Sequence, residues 1–361
     1  GKTLKRLMDF FAVHGDFHEL WIHPIDSDFM IVGGDGGIGI SYDEGKHWNF
    51  VQNLPLGQYY HVNVDLENPY NVYGGLQDNG SWRGPSRVLQ GNAIYNFHWQ
   101  SVGFGDGFGT LPIPRDPRLG YSMSQGGWLV RFNTVTGEQK DIRPSGPSGV
   151  KLRFNWNAAI AIDPLDAGTL YYGSQFLHRS TDEGRSWQIV SPDLTSNNPE
   201  KQKQAESGGL TKDVTHAEDH CTIITISPSP IQNGVIWVGT DDGKVQLTKD
   251  GGQTWKDLSA KIIGMKEKGV PSGTWCPHIE ASNHEPSTAY VVFDDHQRSN
   301  WIPYVFMTSD FGESWKNLVT PAIDGFAHVI REDPVQKNLL FLGTEFGLYV
   351  SFDRGKEWMK W

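Results

Sequence analysis

Histidines and acidic or amide side chains recur at matching positions of a repeated pattern, and these groups are well suited to chemistry. Seven apolar runs begin at the following residues, five of them histidines: His18, His61, Phe108, Asn157, His220, His278 and His328. A second apolar run in each repeat ends beside an acid or an amide: Asp35, Gln77, Gln125, Gln175, Asp241, Asp295 and Glu345. Imidazoles gathered with carboxylates can bind a polar ligand, transfer protons or hold a transition metal.

The acidic residues near these positions are the candidate catalytic groups. Hydrolysis of a glycosidic bond needs two carboxyl groups about 5 to 9.5 Å apart, in environments that separate their pKa values. The densest clusters of titratable residues are HGDFHE at 14–19 and HAEDHC at 216–221. With the two sets above, they supply these candidates: Asp16, Glu19, Asp35, Glu218, Asp219 and Asp241.

Other interpretations of the same positions stay open. No compact metal-binding spacing such as H-E-x-x-H or C-x-x-C occurs, so no cofactor is predicted. A transition metal is the alternative, with four histidines as its ligands: His18, His220, His278 and His328. A structural role is also open, because His and Gln side chains can satisfy one another around a water-filled channel.

Tryptophans near the polar positions refine the expected ligand. Indole faces can stack on sugar rings or on apolar peptide side chains. Four tryptophans lie within a few residues of the polar positions and are assigned to ligand binding: Trp82, Trp128, Trp156 and Trp275.

A short phrase repeated along the chain indicates how these residues are positioned. It combines Ser or Thr, Asp, Gly and Trp at fixed offsets, and it occurs at 41–48, 180–187, 248–255, 308–315 and 351–358. The first two copies start 139 residues apart, which predicts two degenerate units between them, around 60–103 and 107–143. Each unit contains four short apolar runs separated by Gly-rich turns.

Four strands in a unit of about 40 to 50 residues are typical of a propeller blade. The sequence therefore predicts an all-β fold, a seven-bladed β-propeller of four-stranded antiparallel blades, as a single domain over residues 1–361. The blades are predicted to start near residues 18, 61, 108, 157, 220, 278 and 328.

The propeller geometry separates the two kinds of repeated residue. The start of a first strand and the end of a second strand lie at the same end of a blade, so both polar sets should surround one mouth of the central channel. The repeated phrase falls between strands three and four, at the opposite end. Its carboxylates are therefore interpreted as turn caps, too far apart to share a substrate: Asp43, Asp182, Asp250, Asp310 and Asp353.

The repeated phrase resembles the Asp-box, or BNR repeat. The chain is similar to the Asp-box propeller superfamily, which includes sialidases, xyloglucan-degrading glycosidases and sortilin receptors. It most resembles large bacterial proteins described as sortilin-like or BNR-repeat glycosyl hydrolases, through PYNVYGGLQDNGSWRGPS at 69–86 and the segment 331–358. The resemblance implies an extracytoplasmic location and a longer chain with a possible second propeller.

Three functions follow as hypotheses. The first is a sortilin-like propeller that binds a polar peptide, protein or glycan at the mouth. The second is a glycoside hydrolase, with its carboxylate pair at the mouth or in a cleft with a second propeller. The third is a structural module of a secreted or envelope assembly. A sialidase is rejected because the F/Y-R-I-P phrase is absent, and Arg115 lies in LPIPRDP.

Composition excludes other classes. The chain carries 31 Lys and Arg against 42 Asp and Glu, a formal net charge of −11. That excess of acid argues against nucleic acid as a partner. No run approaches the ~18 to 20 apolar residues of a transmembrane helix. The two cysteines, Cys221 and Cys276, do not define a disulfide framework.

Overall fold

Seven small sheets dominate the computed structural model, which describes residues 3–8, 12–54, 56–89, 91, 93–203, 219–265 and 269–361. Each sheet has four antiparallel strands that are consecutive both in sequence and in space. The protein is a seven-bladed β-propeller, so the predicted fold is confirmed. The first strands begin within three residues of the predicted positions, and the two degenerate units form blades 2 and 3.

The strands of the first four blades are as follows. Blade 1 contains β1 (Phe17–Ile22), β2 (Met30–Gly34), β3 (Gly37–Ser41) and β4 (Asn49–Phe50). Blade 2 contains β5 (Tyr59–Val64), β6 (Asn71–Leu76), β7 (Gly80–Pro85) and β8 (Gln100–Gly103). Blade 3 contains β9 (Gly107–Ile113), β10 (Asp116–Ser124), β11 (Trp128–Asn133) and β12 (Gln139–Asp141). Blade 4 contains β13 (Ile160–Ile162), β14 (Leu170–Gly173), β15 (Leu177–Ser180) and β16 (Gln188–Ile189).

The remaining three blades follow the same order. Blade 5 contains β17 (Ile223–Pro228), β18 (Ile236–Thr240), β19 (Val245–Thr248) and β20 (Lys256–Asp257). Blade 6 contains β21 (Trp275–Ala281), β22 (Ala289–Asp294), β23 (Tyr304–Thr308) and β24 (Lys316–Asn317). Blade 7 contains β25 (Ala327–Glu332), β26 (Leu340–Thr344), β27 (Gly347–Ser351) and β28 (Met359–Lys360).

Among the residues that the structure describes, helical structure is confined to short segments. The helix α1 (Ser259–Ile263) follows blade 5, and single 3-10 turns occupy Asn96–His98, Gln125–Gly127, Pro199–Gln202 and His296–Arg298. In the ranges that the structure describes, no helix has the length and apolar character to span a membrane.

The turn between strands three and four has the same bonding in five blades. In blade 5, Asp250 Oδ1 accepts hydrogen bonds from the Thr248 hydroxyl at 2.8 Å and from the Thr254 backbone N–H at 2.9 Å. The Thr254 hydroxyl donates to Oδ2, and these bonds lower the pKa of Asp250 to about 2. The corresponding carboxylates accept equivalent bonds in their own turns: Asp43, Asp182, Asp310 and Asp353. Each carboxylate is therefore engaged by its own turn.

The tryptophans of these turns join neighbouring blades. Trp255 Nε1 donates to the carbonyl of Val190, which follows the outermost strand of blade 4, at 3.0 Å. Trp187 and Trp358 make the same bond to the preceding blade. In the described part of the chain, the hydrophobic clusters run in succession from blade 2 to blade 7.

Blade 1 packs differently from the others. Its first strand exposes four large apolar side chains: Phe17, Leu20, Trp21 and Ile22. Trp48 donates its indole N–H to Gly45 O within its own turn rather than to another blade. Blade 1 therefore leaves most of the apolar surface of its first strand exposed.

Candidate functional site

The end of the second strand is tied to the loop that leads into the first strand of the same blade, which we call the incoming loop. In blade 4, the Gln175 amide donates to Lys151 O at 3.0 Å and accepts from the Arg153 backbone N–H at 2.8 Å. In blade 3, Gln125 Oε1 accepts from the Asp106 N–H at 2.8 Å. These amides hold the loops that form the mouth.

Asp241 performs this task in blade 5 and is fully buried. Its carboxylate accepts from the Thr222 backbone N–H at 2.9 Å and from Asn155 Nδ2 at 3.2 Å. Burial raises the pKa of Asp241 to about 7, and burial lowers the pKa of the neighbouring His220 to about 4. The His220 ring is therefore largely neutral at pH 7, and its 3.7 Å contact with Asp241 is not a strong ion pair.

Blades 2 and 6 bond their polar residues within the protein as well. Gln77 Oε1 accepts from the Tyr60 hydroxyl at 3.1 Å. Asp295 accepts from Arg298 Nε at 2.5 Å and from Asn300 Nδ2 at 2.8 Å. Since the polar side chains of blades 2 to 6 bond to the protein itself, the polar side chains that face solvent come from blades 1 and 7.

Two His–carboxylate pairs are accessible at the mouth. In blade 1, His18 Nε2 lies 2.5 Å from Asp35 Oδ1, and both side chains are exposed. In blade 7, His328 Nε2 lies 3.3 Å from Glu345 Oε2, and both are again exposed. Each pair offers a ring nitrogen and a carboxylate to a ligand.

Below the mouth, the first strands enclose a polar cavity of about 440 Å³. His61 Nε2 lies 2.9 Å from Asn157 Oδ1 across this channel. His278 Nε2 lies 2.8 Å from the carbonyl oxygen of Ile330, to which it donates, and burial lowers its pKa. Both histidines thus face the channel rather than the open mouth.

An aromatic cluster that the sequence analysis did not identify lies between blades 6 and 7. The ring of Phe326 stacks on His296, with centroids 4.5 Å apart, and contacts Trp301 at 5.5 Å and His328 at 4.8 Å. We call these four residues the aromatic shelf. Trp301 is 59% exposed, so the shelf presents an indole to solvent beside the His328–Glu345 pair.

The shelf is fixed by a carboxylate of blade 6. Asp294 Oδ1 lies 2.7 Å from His296 Nδ1 and accepts from the His296 backbone N–H at 3.0 Å. These two contacts fix the imidazole where it stacks on Phe326. A sequence signal existed in DDHQRSNW at 294–301, where a loop at the end of a second strand carries His and Trp.

The four tryptophans predicted to bind ligand lie in different surroundings. Trp82 is half-buried and donates to Asn79 O at 2.6 Å. Trp156 packs against the core of blades 3 and 4, and Trp275 is half-buried on β21. Trp128 is exposed, with the guanidinium of Arg143 5.3 Å from its ring centroid.

The histidines proposed as alternative metal ligands are not brought together. His18, His220, His278 and His328 each contact a different partner in a different blade. In the residues that the structure describes, no three His, Cys, Asp or Glu side chains are grouped to hold a metal ion. Cys221 and Cys276 are buried free thiols.

The candidate catalytic carboxylates divide between blades 1 and 5. Asp16, Glu19 and Asp35 are exposed in blade 1, where Asp16 O accepts from the Asp35 N–H at 3.2 Å. In blade 5, Asp219 and Asp241 are buried. The remaining candidate, Glu218, lies outside the described residues.

Two further carboxylates at the mouth were missed. Asp78 follows Gln77 directly, and its backbone N–H donates to Asp106 Oδ1 at 2.7 Å. Burial raises the pKa of Asp78, and the negative charges of Asp106 and Asp35 raise it further. Asp78 is thus a protonatable group close to blade 1, signalled in the sequence by the QDNG turn at 77–80.

Comparison with known proteins gives two kinds of similarity. A probable oligoxyloglucan-reducing end-specific xyloglucanase of Neosartorya fischeri is 24% identical over 219 residues. That match covers 55% of this chain and 25% of the relative, so the matched region spans about a quarter of the relative's length. No known protein-family profile matches the chain.

Solved structures share the propeller fold at low sequence identity. YCF48 from Cyanidioschyzon merolae is 12% identical with a TM-score of 0.50, covering 94% of this chain and 95% of that one. An ancestral GH74 enzyme is 14% identical with a TM-score of 0.53, covering 93% of this chain and 44% of that one. The chain is therefore similar to β-propellers, including one from a glycoside hydrolase family.

Proposed function

We propose that the mouth of this propeller binds a glycan on the aromatic shelf. The observation that carries the proposal is the exposed indole of Trp301 beside the accessible His328–Glu345 pair. An indole face packs against the C–H face of a sugar ring, while an imidazole and a carboxylate form hydrogen bonds with the sugar hydroxyl groups. The similarity to a xyloglucanase supports a sugar as ligand.

A binding measurement with neutral oligosaccharides tests the proposal. Xyloglucan and cello-oligosaccharides are titrated by calorimetry into the wild type and into Trp301→Ala. Loss of an aromatic anchor should weaken binding by about tenfold or more. Phe352→Ala is the matched control, because Phe352 is an exposed aromatic residue in the turn at the opposite end of blade 7. Equal affinity of Trp301→Ala and the wild type would remove the shelf from the site.

A sortilin-like peptide or protein ligand is the competing outcome of the same experiment. Failure of every oligosaccharide to bind, with binding of a peptide lost in Trp301→Ala, would replace the glycan by a peptide at the same shelf. We propose that this binding takes place outside the cytoplasm, where the protein would encounter polysaccharides.

Glycoside hydrolysis is the second candidate, favoured by the carboxylates of blades 1 and 2. The raised pKa of Asp78 beside Asp106 and Asp35 is the environment expected of a general acid paired with an ionised partner. Release of reducing ends from xyloglucan that disappears in Asp78→Asn would support it. Activity retained in that variant would exclude Asp78 as the acid.

The proposal of a longer, two-propeller chain has its own test. Intact mass spectrometry of the protein from its native source measures the chain length. A mass near 40.4 kDa would restrict any catalytic pair to this propeller. A much larger mass would extend the search to a cleft between two propellers.

A further inference from the structure

A second cavity of about 280 Å³ lies among the incoming loops of blades 4 and 5. The side chains that line it carry more positive than negative charge, unlike the chain as a whole. The cavity is lined by Arg143, Pro144, Gly146, Lys151, Leu152, Phe154 and Asp219. Two cations and one acid line the cavity, so it is locally basic although the chain as a whole carries −11. Local fields of this kind attract anionic groups.

The Arg143 guanidinium lies over two aromatic rings. Its Cζ lies 4.8 Å from the ring centroid of buried Phe154 and 5.3 Å from that of Trp128. Its backbone N–H donates to Asp141 Oδ1 at 2.9 Å, which anchors the start of the loop. Stacking covers the faces of a guanidinium, whereas its N–H donors lie in the guanidinium plane. In the described part of the chain, no side chain or carbonyl accepts from those donors.

Lys151 is placed by Gln175, the buried amide at the end of the second strand of blade 4. The two bonds from Gln175 to Lys151 O and Arg153 N–H fix the backbone on both sides of Leu152. The neighbouring Arg153 already forms an ion pair with Asp193 at 2.8 Å. Within the described ranges Lys151 makes no ion pair, so its ammonium group is available at the cavity rim.

We infer that this cavity binds an anionic group carried by a glycan whose sugar ring stacks on Trp128, which is 45% exposed. The inference rests on the proposed function and names its ligand class, an acidic polysaccharide. A carboxylate fits the in-plane N–H donors of Arg143 in a bidentate manner, and Lys151 adds a second charge. A uronic acid and a sulfated sugar share this chemistry.

The test titrates four ligands into the wild type by calorimetry. They are an oligogalacturonate, its methyl ester, a sulfated oligosaccharide and a neutral xyloglucan oligosaccharide. The oligogalacturonate should bind about tenfold or more tightly than its methyl ester, with an affinity that falls as salt rises. A preference for the sulfated ligand would identify a sulfate ester as the natural anion.

Variants locate the binding. Arg143→Gln and Lys151→Gln should each abolish most of the preference for the acid over its ester, and Arg185→Gln should not. Arg185 is an exposed arginine in the turn of blade 4 at the opposite end of the propeller, so it is a matched control for charge. If Arg143→Gln does not fold, because its guanidinium packs on Phe154, the exposed Lys151 carries the test by itself.

The outcomes separate this inference from the proposed function. Binding of the neutral oligosaccharide, with equal affinity for the acid and its ester, would overturn the anionic class and leave glycan binding intact. An unchanged preference in Arg143→Gln and Lys151→Gln would overturn the cavity as the site. Binding of none of the four ligands would reject the glycan proposal and this inference together.

Discussion

Between pH 7 and pH 5, buried histidines should contribute to the pH dependence of stability, and His178 allows a quantitative test. This ring lies on β15 and is 1% exposed, with Nε2 2.8 Å from the Ser174 hydroxyl. Phe154 and Trp187 pack around it at centroid distances of 6.4 Å. Burial lowers the pKa of His178 to about 4, because the surroundings solvate the imidazolium poorly.

The sign of the effect follows from proton uptake. The unfolded chain binds a proton at this histidine near pH 6.5, whereas the folded protein does so only near pH 4. Stability contributed by the neutral ring is therefore complete above pH 6.5 and is lost as the pH falls towards 4. The linkage relation gives a loss of about 2 kcal/mol between pH 7 and pH 5 from this group.

The assay compares urea denaturation at pH 7 and pH 5 for the wild type and for His178→Gln, which keeps a hydrogen-bonding side chain. The variant should lose about 2 kcal/mol less than the wild type over this interval. His47→Gln is the comparison at an exposed site, because His47 is 90% exposed and lies 2.5 Å from Asp43 at the opposite end of blade 1. It measures how much of the change any histidine substitution produces. A wild type and a His178→Gln variant with the same pH dependence would refute the reasoning.

Two substitutions separate core packing from links at the mouth. Trp255→Ala removes a half-buried indole and its hydrogen bond to Val190. In urea denaturation the substitution should lower the free energy of unfolding by about 3 kcal/mol. An unchanged denaturation midpoint would contradict the role of Trp255 between blades 4 and 5. Asp241→Ala leaves the Thr222 N–H and the Asn155 amide without their buried acceptor, so its melting temperature at pH 7 should fall clearly. A melting temperature equal to that of the wild type, with ligand binding lost, would instead make Asp241 a ligand-binding residue.

The blades could be predicted from sequence because their signal is local and repeated. The turn around Asp250 needs a hydroxyl, a carboxylate and glycines within seven residues, so the phrase appears intact in the chain. Even the divergent blades 2 and 3 were found from the spacing of their neighbours. A repeated turn defines the strands on both sides of it, which gives the fold.

The roles of the polar residues at the mouth could not be predicted in the same way. Gln175 and Asp241 occupy positions equivalent to the exposed Asp35, yet they are buried under the incoming loops. Exposure at these positions depends on how the loop before each first strand folds back, and loop paths have no periodic signal. The pattern of residue types thus predicts where each side chain lies in its blade, but it does not predict whether the side chain is buried or what it bonds to.

Repetition itself explains why most of the aligned positions serve the fold rather than a ligand. A residue that recurs in every blade serves a need that every blade has, and tying the second strand to the incoming loop is such a need. A single ligand at the channel axis breaks the sevenfold pattern, so it must be held by groups that occur once. The loop that carries Trp301 and the loop that carries Arg143 supply such groups, because neither residue belongs to the repeated positions. Substitutions at the buried repeated positions, such as Gln175 and Asp241, should therefore act on stability, and substitutions in these two loops or at the exposed His328–Glu345 pair should act on binding.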